Sequence, residues 1–241
     1  MRRIGLIGGT TWTSTVEYYR LLNEGVAARL GGLHSADLVL RSLEFGEISA
    51  LQKAGDWPAL ERRYRAEAEL LVAAGAEVIG ICANTMHLVF DEVAAGAGGA
   101  QLVHVVDEAA SAARAIGAQR LGLLGTAYTM RSDLYQRRLE GSGLEVLVPE
   151  EQDIAEVHRI IYAELAHGQV LESSRETLQA VVGRLTARGA QAVVLGCTEL
   201  PLILSAPDAE VPLLDTTALH VDALLDAALG SHETSLEEGA A

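Results

Sequence analysis

The chain has 241 residues, of which 49% are hydrophobic and 4% aromatic, and its formal net charge is −15. This length allows one large domain or two small ones, with cores built mainly from aliphatic side chains. The negative charge repels phosphate backbones and no apolar run reaches the roughly 18 residues of a membrane span, so we expect neither nucleic-acid nor membrane binding.

Short apolar runs alternate along the chain with longer segments of helical periodicity. The runs predict strands over residues 3–8, 37–42, 77–82, 102–106, 120–125, 145–148, 192–196 and 212–214. The periodic segments predict helices over residues 15–30, 60–74, 108–116, 132–139, 154–166, 174–187 and 218–229. Such alternation is typical of an α/β fold with parallel sheets covered on both faces. In these folds ligands bind beyond the carboxyl ends of the strands.

The chain also repeats itself. The run at residues 4–8 matches the run at 121–125, and the run at 75–79 matches the run at 189–193. Carried forward, the second match pairs Ala83 with Cys197. Two repeated units in the same order predict two similar Rossmann-like or flavodoxin-like domains that face each other across a cleft. We expect the first domain to comprise residues 1–100 with 213–230 and the second to comprise 101–212, followed by a loose tail at 231–241.

Small polar residues follow four of the predicted strands. They lie at residues 8–15, 82–87, 125–129 and 196–201, two loops in each half. Each loop alone is also explained by ordinary helix capping. Together, at the ligand-binding edge, they predict a site for a small, polar, anionic molecule. No spacing of His, Cys or acidic residues in the sequence indicates a metal site.

Cys197 is the candidate acid/base. It follows a buried strand and precedes a predicted helix, where a thiol is expected to have a lowered pKa; the alternative is an inert core cysteine. Glu199 is a candidate to hold a loop or to orient a substrate ammonium, and His87 a candidate acid, ligand or structural residue. With Cys82 as the one other cysteine, we expect no disulfide and a cytoplasmic location.

Four motifs carry a family resemblance. They are Ile-Gly-Leu-Ile-Gly-Gly at 4–9, Trp-Thr-Ser-Thr at 12–15, Ala-Asn-Thr-Met-His at 83–87 and Gly-Cys-Thr-Glu-Leu at 196–200. The chain resembles the aspartate/glutamate racemase superfamily, and within it the L-aspartate/glutamate-specific subgroup. The resemblance implies racemisation of an acidic amino acid without cofactor, metal or pyridoxal phosphate, in a homodimer. Two residues would flank the substrate α-carbon, one removing a proton and the other returning one.

The resemblance also implies roles for individual residues. Asn84, Thr85 and Thr198 would hold the α-carboxylate, with help from the loop that contains Gly9, Thr10 and Thr11. Gln52 and Thr126 are further substrate-binding candidates from the same comparison, as is Glu199. The distal carboxylate calls for a cation, and Arg41, Lys53 and Arg131 are the candidates.

The sequence departs from the family at Ala83, where typical members carry Cys and the L-specific subgroup carries Thr. Alanine transfers no proton, and Cys82 lies one residue early on the opposite strand face. Three explanations stay open: an engineered replacement, a one-thiol racemase with impaired or one-sided activity, or departure from racemisation. The last includes a single-cysteine, cofactor-free decarboxylase of the arylmalonate type. A non-catalytic sensor of acidic amino acids is the remaining alternative.

Overall fold

Two four-stranded parallel sheets form the framework of the computed structural model, which describes residues 1–139 and 141–230. The predicted tail at 231–241 lies outside the described residues. The first sheet has the order β2-β1-β3-β4 and the second the order β6-β5-β7-β8. The strands are β1 (Ile4–Gly8), β2 (Leu38–Ser42), β3 (Val78–Ile81), β4 (Gln101–Leu102), β5 (Arg120–Gly125), β6 (Glu145–Leu147), β7 (Ala192–Gly196) and β8 (Leu213–Asp215).

The identical strand order confirms the predicted α/β fold and its internal repeat. The matched sequence runs form β1 and β5, and the second matched pair leads into β3 and β7, which neighbour them. All residues of β1, β3 and β7 are buried. Parallel strands covered on both faces need such continuous apolar sequences. The same ends of the equivalent strands therefore carry equivalent loops in the two halves.

Helices cover the sheets, and most begin earlier than the periodicity predicts. They are α1 (Trp12–Leu30), α2 (Phe45–Ala54), α3 (Trp57–Ala73), α4 (Phe90–Gly96), α5 (Val105–Ala115), α6 (Ala127–Arg131), α7 (Leu134–Leu139), α8 (Glu151–Ala163), α9 (Glu172–Ala187) and α10 (Thr216–Leu229). The helix predicted at 132–139 corresponds to α7, which begins two residues later than predicted, and a separate short helix, α6, precedes it. None of the helices in the described part of the chain is long and apolar enough to cross a membrane.

The strand predicted at 102–106 is wrong beyond its first residue. The chain leaves β4 after Leu102, and α5 begins at Val105. His104 caps this helix, because its Nδ1 accepts a hydrogen bond from the backbone N–H of Val106 at 3.1 Å. A side-chain cap of this kind outweighs the β preference of consecutive valines.

The predicted division into domains remains a prediction. Two strands, however, pair with the sheet of the other predicted domain. β4, at the start of the predicted second domain, pairs with β3 in the first sheet, and β8 pairs with β7 in the second sheet. The last helix returns to the first half. Leu225 fills the space beside Gly25 of α1, where a Cβ atom would lie 2.3 Å from its Cδ1.

Three buried histidines lie together, and one of them, His220, belongs to α10. The ring centroid of His87 lies 4.9 Å from that of His104 and 5.5 Å from that of His220. His87 Nδ1 bonds the carbonyl oxygen of Ala83 at 3.0 Å, and His220 Nδ1 bonds the Tyr18 hydroxyl at 2.8 Å. The His, Cys, Asp and Glu residues of the described ranges form no group suited to a metal ion. His87 is buried and its ring nitrogens bond backbone groups of Ala83 and Val105, contacts that fit the structural role among the three predicted for it.

Candidate active site

A cavity opens between the carboxyl ends of the two sheets. Its volume is about 540 Å³ with the open mouth included. The loops after β1, β3, β5 and β7 all reach it, so the four predicted loops do meet. It is lined by Thr10, Thr11, Ser14, Ala83, Asn84, Thr85, Thr126, Gly196, Cys197, Thr198 and Glu199, together with Phe45 and Gln52 of α2, Ile161 and Tyr162 of α8, and Ala166.

The loop after β1 is held in a strained conformation. Gly9 has a φ of 86°, and a Cβ atom there would lie 2.2 Å from the carbonyl oxygen of Leu43, so no other residue fits. Gly9 itself does not line the cavity; its N–H donates to Thr15 Oγ1 at 2.8 Å. Thr11 has a φ of 96°, a costly conformation for a β-branched residue. In this conformation the Thr11 hydroxyl points toward Glu199.

Glu199 lies at the centre of a hydrogen-bond network that joins the two halves. Its carboxyl group is buried and receives four donors. Oε1 accepts from Thr11 Oγ1 at 2.9 Å and from Ser14 Oγ at 3.3 Å. Oε2 accepts from Cys197 Sγ at 2.9 Å and from Thr198 Oγ1 at 2.8 Å. Of the two roles predicted for Glu199, these contacts fit that of holding a loop. The donors are mainly side-chain hydroxyls, however, and not the backbone N–H groups that were predicted.

The Cys197 thiol is an acid in this setting. Burial raises its pKa well above the ordinary value, and the neighbouring Glu199 carboxylate raises it further. The predicted lowering of this pKa is wrong, because the thiol is 9% exposed and β7 leads into a three-residue 3-10 turn, Leu200–Leu202. So short a helix offers little dipole to offset the loss of water around a thiolate.

Ala83 occupies the position in the first half that Cys197 occupies in the second, and both line the cavity. The neighbouring Cys82 is 2% exposed and packs in the core with Ile4 and Leu6, away from the cavity. The predicted orientation of Cys82 is therefore confirmed. Burial also raises its pKa. Of the two thiols in the chain, only that of Cys197 lines the cavity.

Asn84 and Thr85 connect the halves on the opposite side. Asn84 accepts a hydrogen bond from the Tyr135 hydroxyl and donates one to Thr216 Oγ1, both at 2.8 Å. The hydroxyl of Thr85 lies 3.0 Å from that of Thr126. The amide of Asn84 thus has a structural function whatever else it binds.

One atom of the Gln52 side-chain amide lacks a hydrogen-bond partner. Its side chain is 5% exposed, and its Nε2 donates to the sulfur of Met86 at 3.2 Å. Its Oε1 has no hydrogen-bond partner among the described residues. A buried acceptor without a partner costs about 1–3 kcal/mol, so a donor from a bound molecule would stabilise it.

The three basic candidates lie elsewhere. Arg41 pairs with Glu67 at 2.6 Å, Arg131 pairs with Glu151, and Lys53 is exposed; none of the three lines the cavity. Sequence reasoning did not place Phe45, Ile161, Tyr162 or Ala166 in the cavity lining, and it included Ser14 and Gly196 in the predicted loops without singling them out. Ser14 could have been inferred from the hydroxyl-rich start of α1, whereas no local signal distinguishes the cavity-facing residues of α8.

The chain is similar to known racemases over most of its length. A family model described as Asp/Glu/hydantoin racemase matches residues 7–224. A crystal structure from Yersinia pestis, provisionally assigned as an Asp/Glu racemase, is 46% identical with a TM-score of 0.88, covering 95% of this chain and 100% of that one. An aspartate racemase homologue from Pyrococcus horikoshii is 35% identical with a TM-score of 0.83 over the same shares.

A curated relative is more distant. The broad specificity amino-acid racemase RacX of Bacillus subtilis is 27% identical over 146 residues. That match spans 60% of this chain and 61% of RacX. The family match covers all four loops that line the cavity, because it extends from β1 to α10.

Proposed function

The chain belongs to the Asp/Glu/hydantoin racemase family, and on that premise we propose that it moves the α-proton of an amino acid, with Cys197 as the acid/base. One observation carries the proposal: the cavity-lining Cys197 thiol donates to the buried Glu199 carboxylate at 2.9 Å. The thiol proton of this pair lies beside the cavity, where it can be donated to the carbanion of a bound substrate. The proposed chemistry is the proton-transfer step of an isomerase, and it needs no cofactor.

The proposed step is a proton transfer in which charge is conserved. Cys197 Sγ takes the α-proton while its own proton passes to Glu199, and the reverse transfer returns a proton to the carbanion. The α-carboxylate would bind to hydroxyls and backbone N–H groups near Thr85, Thr126 and Thr198. The resemblance and the names of relatives suggest aspartate or glutamate. The homodimer stays a prediction that rests on the resemblance alone.

Ala83 makes the proposed activity one-sided. A residue without an acidic proton cannot serve the second face of the α-carbon, so we expect exchange from one enantiomer only. The test is to incubate the protein in deuterated water with each enantiomer of aspartate, glutamate, asparagine and glutamine, and to follow the α-proton by NMR. Equal exchange from both enantiomers would contradict the one-sided mechanism. No exchange from any of them would contradict the proposed function.

Replacing Ala83 by cysteine should create the second acid/base. We expect A83C to exchange the α-proton of both enantiomers and to interconvert them, with a gain of about 100-fold or more in racemisation. Chiral chromatography of the product measures it. A83S, similar in size but with a hydroxyl in place of the thiol, is the control and should gain much less. Unchanged one-sided exchange in A83C would show that position 83 does not face the α-carbon.

A second candidate function has one observation in its favour. The raised pKa of Cys197 suits a thiol that only donates a proton, as a single-cysteine decarboxylase of the arylmalonate type requires. Release of CO₂ from a malonate-type acid, with no α-proton exchange from amino acids, would favour this function over the first.

A further inference from the structure

The cavity offers no positive charge to a substrate. Among the described residues that line it, none is Lys, Arg or His, and Glu199 is the one acidic side chain. His158 packs against Tyr162, with ring centroids 4.5 Å apart, but does not line the cavity, and burial lowers its pKa. A bound substrate therefore meets a site whose formal charge is negative.

A second carboxylate would be costly to bury in such a site. An α-carboxylate and an α-ammonium bring no net charge, whereas aspartate and glutamate each add one anion beside Glu199. A buried charge without a cationic partner loses its hydration and gains little in return. Hydroxyl donors are present, but Thr11, Ser14 and Thr198 already bond Glu199.

The walls away from Cys197 and Glu199 suit an uncharged side chain. Phe45, Ile161, Tyr162 and Ala166 line this part of the cavity with largely apolar side chains. Gln52 lines the same cavity, its Oε1 is buried without a partner, and the opposite orientation of its amide would lose the N–H···S bond to Met86. This acceptor repels a carboxylate oxygen and matches an N–H or O–H donor.

We propose that the cavity selects amino acids whose side chain is uncharged and ends in a hydrogen-bond donor, in preference to aspartate and glutamate, with Gln52 as the residue that reads the donor. The proposal rests on the proposed function for the identity of the ligand as an amino acid. It predicts a preference for glutamine over glutamate, two molecules of nearly the same shape that differ in one group.

The test is binding, measured by calorimetry on the C197A protein so that no turnover interferes. We expect glutamine, in the enantiomer preferred, to bind about 100-fold more tightly than glutamate and about 10-fold more tightly than methionine, which lacks the donor. The Q52L variant should bind glutamine and methionine alike with an unchanged melting temperature. The matched variant Q179L, on α9 outside the cavity, should leave both affinities unchanged.

Two outcomes overturn the inference: glutamate that binds as well as glutamine, or no amino acid that binds at all. A glutamine preference that survives in Q52L would overturn the role of Gln52. The proposed function fails separately, if the wild-type protein binds glutamine but exchanges no α-proton in deuterated water. In that case the selectivity of the cavity stands and the chemistry at Cys197 does not.

Discussion

Replacing Cys197 by alanine should abolish α-proton exchange, with a loss of about 100- to 10,000-fold in rate. This range is the usual contribution of a positioned acid/base, and no second thiol lines the described cavity to replace it. NMR in deuterated water measures the residual rate. Thermal unfolding should change little, because a buried Cys-to-Ala replacement typically costs about 1 kcal/mol.

Cys82 provides the matched control. It is buried like Cys197 and lies only one residue before Ala83, but it packs in the core of the first half. C82A should therefore lose a similar amount of stability and keep its exchange rate. Exchange that persists in C197A but disappears in C82A would transfer the chemistry to the first half and contradict the proposed mechanism.

Acidification should unfold the protein through its buried histidines. Burial lowers the pKa of His104 and of His220 to about 4, and lowers that of His87 as well. In the unfolded chain a histidine titrates near about 6.5. Below that pH the unfolded state therefore binds protons that the folded state does not. Stability is full above a pH of about 6.5 and is lost as the pH falls toward about 4.

The expected loss is large. His220 alone should contribute about 3 to 4 kcal/mol over its full titration, at about 1.4 kcal/mol for each unit by which its pKa is lowered, and about 2 kcal/mol of this should be lost between pH 7 and pH 5. Urea unfolding at pH 7 and at pH 5 measures the difference. H220Q should be less stable at pH 7 yet depend less on pH, whereas H34Q, at an exposed histidine, should retain the wild-type slope. Equal free energies of unfolding at the two pH values would contradict the prediction.

The internal repeat in the sequence made most of the fold predictable. The apolar runs of β1, β3, β5 and β7 are buried on both faces, so composition alone marks them, and the polar loops after them fall at one edge by topology. The repeat and this topology are enough to place Ala83, Thr126 and Cys197 together from the sequence. Helix α2 was missed, although Glu44 caps it by accepting from the N–H groups of Gly46 and Glu47, and such a cap is a local signal.

The pKa of Cys197 could not be predicted from its neighbours in the sequence. The chain position suggests a helix N-terminus, whereas the value depends on burial and on a carboxyl group turned toward the sulfur. The unpartnered oxygen of Gln52 is likewise a product of tertiary packing. Both depend on contacts between segments far apart in the chain, which no local pattern contains.

The return of α10 to the first half bears on the order in which the chain can fold during synthesis. Val221, Leu224 and Leu225 belong to the same core cluster as Leu6 and Tyr18. Residues of β1 and α1 thus complete their core with residues of α10, which are synthesised only after the whole second half. The amino-terminal half leaves the ribosome with an apolar face uncovered, and it stays so until the second half has been translated.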